Sequence, residues 1–125
     1  MSGPLPQFSV VVPTRGDPGK LLPLLDALSR QTISADRFEV LISFDGATPS
    51  PEIAARIATL GGRAVVGERR RGPGAARNLA ARDARHDYLA FTEDDCTPAE
   101  DWLASAAARF ESEPAIDVLE GATTR

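Results

Sequence analysis

Cysteine, histidine and lysine each occur once in this chain, as Cys96, His86 and Lys20. A lone cysteine allows no internal disulfide framework, so a small cross-linked secreted scaffold is excluded and a reducing, cytoplasmic setting is the expectation. One histidine, beside Asp87 in a polar stretch, cannot make a His-rich zinc site and is a poor start for a Ser-His-Asp triad, so His86 is expected to be structural. Long apolar runs are also missing. Nothing approaches the roughly 18 residues that span a bilayer, and the opening MSGPLPQ lacks the basic and apolar regions of a secretory leader. Positive charge is not in excess either. The 14 Lys and Arg face 18 Asp and Glu, a formal net charge of -4, which argues against a general phosphate-backbone binder and so against nucleic acid as a partner.

What is present fits one folded unit. A chain of 125 residues, 42% of them hydrophobic, can bury roughly two-thirds of its unfolded surface in a single domain. Phe8 to Val12 (FSVVV) is a β-branched run closed by Pro13, the pattern of a strand buried on both faces. Asp17 and Pro18 then supply a cap and a first-turn proline for a helix with Leu21, Leu25 and Leu28 on one side, ending near Gln31, with Pro23 expected in its first turn. Phe38 to Phe44 (FEVLISF) is a second strand, stopped by Asp45-Gly46. Ser50-Pro51 opens a second helix carrying Ile53, Ile57 and Leu60, closed by Gly61-Gly62. Arg63 to Gly67 is a short strand, and the basic loop Arg69 to Gly74 leads into an alanine-rich helix from Ala75 to Arg85. Asp87 to Thr92 is a fourth strand, buried by its apolar content. Thr97, Pro98 and Glu100 spell a capped helix start before Trp102, Ala106 and Phe110, and Ile116 to Leu119 is a candidate fifth strand.

Strand and helix alternate, so the expected fold is α/β: a mostly parallel sheet with helices on both faces. Ligands of such sheets bind beyond the carboxyl ends of the strands. Those ends carry Pro13-Thr14-Arg15, Asp45-Gly46, the basic loop with Arg77 behind it, and Glu93-Asp94-Asp95. Adjacent carboxylates repel unless a cation or water separates them, and carboxylates at a strand end suit a hard divalent ion such as Mg²⁺ or Mn²⁺ that also takes phosphate oxygens. Gly72-Pro73-Gly74 before a helix start, flanked by arginines, suits a diphosphate. Each piece alone has an ordinary structural explanation. Together they describe a site for a nucleoside diphosphate.

The order FSVVVPTR, LLPLLDALSRQT, FEVLISFDG, GPGAARNLAA, DYLAFTEDDC and TPAEDWL resembles the amino-terminal half of a family 2 glycosyltransferase with the Rossmann-like GT-A fold. The resemblance runs from about Phe8 to the end of the chain. It implies that residues 1–125 form a single nucleotide-sugar-binding domain without the acceptor-binding half. It implies an inverting, metal-dependent transfer of a sugar from a nucleotide-diphosphate donor to an acceptor of unstated kind, with Mn²⁺ or Mg²⁺ as cofactor. By the same resemblance Pro13, Thr14 and Arg15 line the nucleotide pocket, Asp45 contacts base or ribose, Arg77 lies near the nucleotide, Asp94 lies near the ribose, and Asp95, with Glu93 beside it, holds the metal. Two departures stand out: Phe44 precedes Asp45 where the family usually has a second acid, and Glu93 replaces the usual first aspartate. No carboxylate after Glu120 is available as a general base for an acceptor hydroxyl, so a non-catalytic module that self-associates, or binds nucleotide without turnover, is the alternative reading. A receiver-like signalling domain is disfavoured because the first strand ends without acids and no lysine follows the last. A nucleotidyltransferase is disfavoured because its glycine-rich loop belongs behind that first strand.

Overall fold

The computed structural model describes residues 6–113. The candidate fifth strand at Ile116 to Leu119 lies outside them. Four parallel strands, β1 (Phe8–Thr14), β2 (Phe38–Asp45), β3 (Arg63–Gly67) and β4 (Tyr88–Phe91), form one sheet in the order β3-β2-β1-β4. The helices are α1 (Pro18–Ser29), α2 (Pro51–Thr59), α3 (Pro73–Arg82) and α4 (Trp102–Ser112).

Right-handed crossovers explain which face each helix takes. From β1 to β2 to β3 the chain steps one way, and α1 and α2 pack on one face, where Val10, Val12, Val40, Ile42 and Phe44 meet Leu21, Leu24, Leu25, Leu28, Ile53 and Ile57. Returning past β1 to β4 reverses the step, so α3 crosses the other face and buries Ala80 on Val11 and Leu41. Alternation along β1 and β2 sends neighbouring residues to opposite faces, and both strands are buried on both. Helix α4 joins the larger core through Leu103 and Ala107, and Phe110 closes on Tyr88 with ring centroids 4.5 Å apart.

Several expectations need correction. Strand β1 continues through Pro13 to Thr14. Thr92 N–H donates to the Val11 carbonyl, so Val11, and with it Pro13 two residues on, directs its backbone toward the β4 side. The β1–β4 register ends at Val11 opposite Phe91, so the N–H that Pro13 lacks has no ladder to break. Pro23 lies inside α1, past the first turn. Helix α3 begins at Pro73 and stops at Arg82, and β4 is shorter than Asp87 to Thr92. The Thr97-Pro98-Glu100 start does not form: α4 begins at Trp102 with no side-chain cap of its own. Its cap comes from the end of α1, where Gln31 Oε1 accepts Leu103 N–H at 3.1 Å and Nε2 donates to the Ala99 carbonyl at 2.8 Å. Strand β4 is not buried on both faces. Tyr88 and Ala90 face the large core, but Leu89 and Phe91 lie on the α3 side beyond the reach of α3, 41% and 49% exposed.

At the amino ends of the strands a polar network replaces apolar packing. Glu39 Oε2 accepts the Ser9 hydroxyl at 2.6 Å and Arg85 N–H at 2.6 Å, while Oε1 takes Arg63 at 2.9 Å. Burial pushes the Glu39 carboxyl up, but the Ser9 and Arg85 hydrogen bonds with the Arg63 and His86 charges outweigh it and hold its pKa below the ordinary glutamate value. His86 enters the network through its backbone N–H, which donates to Ser9 Oγ at 3.1 Å, at the end of the sheet opposite the rim. On the α3 face, Ser43 is fully buried and its hydroxyl finds no hydrogen-bond partner among the described residues. No helix among these residues is long and apolar enough to cross a membrane.

Because the folded pKa of Glu39 is lowered, its stabilising contribution is complete above the ordinary glutamate pKa and is lost as pH falls through the folded value. Glu39→Gln is expected to cost about 1–3 kcal/mol at neutral pH in urea titrations, with the gap to wild type narrowing in acid. An equal gap at pH 7 and in acid would contradict this. Ser43→Ala is expected to stabilise the fold by about 1 kcal/mol, since it removes a buried hydroxyl that has no partner, and a lowered urea midpoint would count against that accounting.

Candidate functional site

The strand order reverses between β1 and β4, and the carboxyl ends of those two strands flank the crevice that such a switch point creates. Thr14 closes β1 there, 4% exposed. Its hydroxyl donates to Asp94 Oδ2 at 2.9 Å and accepts Gly16 N–H at 3.0 Å, tying the loop after β1 to the loop after β4. Gly16 sits at φ +93, a conformation open to glycine and costly for other residues. Pro13 is buried within the strand, and Arg15 is exposed on the loop beyond it.

Asp45 closes β2 and is 8% exposed. Its two oxygens accept the N–H groups of Arg71 at 2.7 Å and Gly72 at 2.9 Å. The basic loop is thus fastened by backbone, leaving the Arg69 and Arg71 side chains exposed. Gly46 makes this approach possible: at φ +70, a Cβ on it would lie 2.7 Å from Arg70 N. Asp45 therefore orders the loop in this structure, where the resemblance implies a contact to base or ribose.

The three consecutive acids part company. Glu93 forms an ion pair with Arg77 of α3. Asp94 takes the Thr14 hydroxyl. Asp95 is exposed at the rim, with Cys96 Sγ 3.8 Å from its Oδ1. Their mutual repulsion is thus relieved by three different surroundings. Among the described residues no three His, Cys, Asp or Glu side chains gather into a metal cage. Asp94 and Asp95 remain side by side as oxygen donors, and Glu93 is turned toward Arg77.

Helix α3 divides the rim. Ala76 and Ala80 bury against the sheet, Arg77 faces Glu93, and Ala75, Asn78, Leu79 and Arg82, spaced i, i+3, i+4 and i+7, line a cleft on the opposite flank. That cleft, about 560 Å³, is bordered by Asp45, Gly67, Arg69 and Arg71. Sequence reasoning had placed Leu79 and Arg82 only in an alanine-rich helix. Their spacing with Ala75 was the available signal.

Comparison with known proteins bears on the fold and the family. The sequence model of glycosyl transferase family 2 matches residues 9–122. The chain is 27% identical over 124 residues to the glycosyltransferase AglE of Haloferax volcanii, covering 97% of this chain and 40% of AglE. Among solved structures it resembles S. aureus TarS 1-349 in complex with UDP, with a TM-score of 0.80 and 27% identity over 86% of this chain and 33% of that one. The complex of the same TarS protein with UDP-GlcNAc superposes equally well, with a TM-score of 0.80 and 27% identity over 86% of this chain and 32% of that one. The mannosyltransferase PcManGT from Pyrobaculum calidifontis, in complex with GDP-Man and Mn²⁺, gives 0.73 at 25% identity, again over 86% of this chain and 33% of the other. The chain thus spans less than half the length of these relatives. With the family match running over nearly all of its residues, and these structures superposing at TM-scores of 0.73 to 0.80, the chain belongs to glycosyl transferase family 2.

Proposed function

We propose that this chain is the donor-binding part of a metal-dependent, inverting glycosyltransferase and that the crevice between β1 and β4 takes a nucleotide-diphosphate sugar. The observation that carries the reading is the Thr14–Asp94 hydrogen bond at the switch point, with Asp95 exposed beside it. It is supported by relatives solved with UDP, UDP-GlcNAc and GDP-Man. Asp94 and Asp95 fit a Mg²⁺ or Mn²⁺ shared with a diphosphate, because such ions accept a few carboxylate oxygens and complete their shell with phosphate and water. When bound, the ion would stabilise charge on the departing diphosphate.

The chain's own residues divide the remaining work. Thr14 holds the Asp94 carboxylate in place, Asp45 fixes the basic loop, and Arg77 with the loop arginines supplies positive charge for phosphate oxygens. In the transfer, the acceptor hydroxyl oxygen bonds to the anomeric carbon as that carbon's bond to the diphosphate oxygen breaks. The diphosphate leaves with the electron pair, the proton passes to a base of the acceptor-binding part, and configuration inverts. The open α3-side face of β4, with Leu89 and Phe91, is the surface against which that further part would pack.

The same face favours a second reading, in which the 125-residue chain on its own self-associates without turnover. Thermal unfolding with UDP or GDP and Mn²⁺ separates the two. The donor-binding reading expects nucleotide with Mn²⁺, at about 100-fold excess over Kd, to raise Tm by about 5 °C or more, and Asp95→Ala to abolish the Mn²⁺-dependent part of the rise. No shift at millimolar nucleotide, with sedimentation showing a tight dimer, would support the second reading instead.

A further inference from the structure

We infer that Glu93 is a positioning residue for Arg77 and not a ligand of the metal, an inference that rests on the donor-site reading above. Glu93, Asp94 and Asp95 are consecutive, and Glu93 reaches across to α3, where its Oε1 pairs with Arg77 Nη2. The pair is part-buried, with side chains 40% and 32% exposed, so it is screened less than a pair in open water. A glutamate, one methylene longer than the aspartate usual at this place in the family, extends its carboxylate toward the helix while Asp94 stays with Thr14 at 2.9 Å. Engagement through one terminal nitrogen leaves the other guanidinium N–H groups of Arg77 able to face a ligand in the crevice.

Charge points the same way. Arg77 already balances the Glu93 carboxylate. A Glu93 that ligated the ion would have to give up Arg77 and leave that guanidinium without its fixed orientation. Arg77 sits in the second turn of α3, the helix that follows the loop Asp45 fastens, so it is anchored at both ends: its backbone by the helix and its head group by Glu93.

The test uses the whole chain with Glu93→Gln, Arg77→Gln, the double variant and Asp95→Asn. Mn²⁺ alone is titrated by electron paramagnetic resonance, and UDP and GDP are titrated calorimetrically with Mn²⁺ present. Glu93→Gln is expected to leave Mn²⁺ affinity within about twofold of wild type while Asp95→Asn lowers it about tenfold or more. Glu93→Gln and Arg77→Gln should each weaken nucleotide about tenfold, and the double variant no further than Arg77→Gln, because the two act as a unit. Loss of Mn²⁺ in Glu93→Gln to the extent seen in Asp95→Asn, or additive losses in the double variant, would overturn the inference. Should wild type bind neither nucleotide, the donor-site reading falls, and the inference is then decided by the Arg77 side-chain Nη–H resonances. A protected signal lost in Glu93→Gln and kept in Asp95→Asn supports the positioning role; a signal indifferent to Glu93 refutes it.

Discussion

The carboxylate of Asp45 does at the end of β2 what a strand ladder can no longer do: it pairs backbone N–H groups that would otherwise face the rim unsatisfied. By accepting Arg71 and Gly72 together it sets where the basic loop runs and where α3 begins. The start of α3 determines where Arg77 stands, and Arg77 draws Glu93 away from the two aspartates that follow it. One side chain on the second strand thus shapes an acid cluster two strands away. Charge-assisted bonds to backbone donors are strong and directional enough for this, and Gly46 removes the steric obstacle.

Much of this was legible from residues alone. Short β-branched runs at Phe8 and Phe38 need both faces covered, and the structure covers them. Asp17 and Ser50 cap their helices as their side chains suggest, Asp17 accepting Gly19 N–H and Ser50 accepting Ile53 N–H. What escaped was whatever depended on a partner distant in sequence. Thr97 and Glu100 have the spelling of a capping box, but Gln31, 72 residues before Leu103, supplies the cap instead. Leu89 and Phe91 have the composition of a buried strand, yet burial on the second face needs a neighbour, and α3 lies over β1, β2 and β3. The candidate site followed the same rule. Its location at the strand ends could be read from the alternation of elements, whereas the division of the acids among Arg77, Thr14 and the open rim could not be read from their adjacency.

The two ends of the sheet are built differently. At the amino end Glu39, Ser9, Arg63, Arg85 and His86 satisfy one another and leave little for a ligand to add. At the carboxyl end the polar groups are only partly committed: Thr14 and Asp94 pair with each other and Glu93 with Arg77, while Arg69 and Arg71 hold exposed side chains on a loop fastened through the N–H groups of Arg71 and Gly72. A binding rim needs that residual capacity, since groups fully satisfied within the fold would have to break bonds to take a ligand.

The central claim is that the crevice where the strand order reverses is the place that receives a nucleoside diphosphate with its cation. It is tested most directly by backbone amide NMR of the ¹⁵N-labelled chain titrated with Mg²⁺ and UDP or GDP. The account predicts that the largest shifts fall on Thr14, Gly16, Arg71, Gly72, Asp94 and Asp95. Shifts absent altogether, or confined to the opposite end at Ser9, Arg85 and His86, would contradict it.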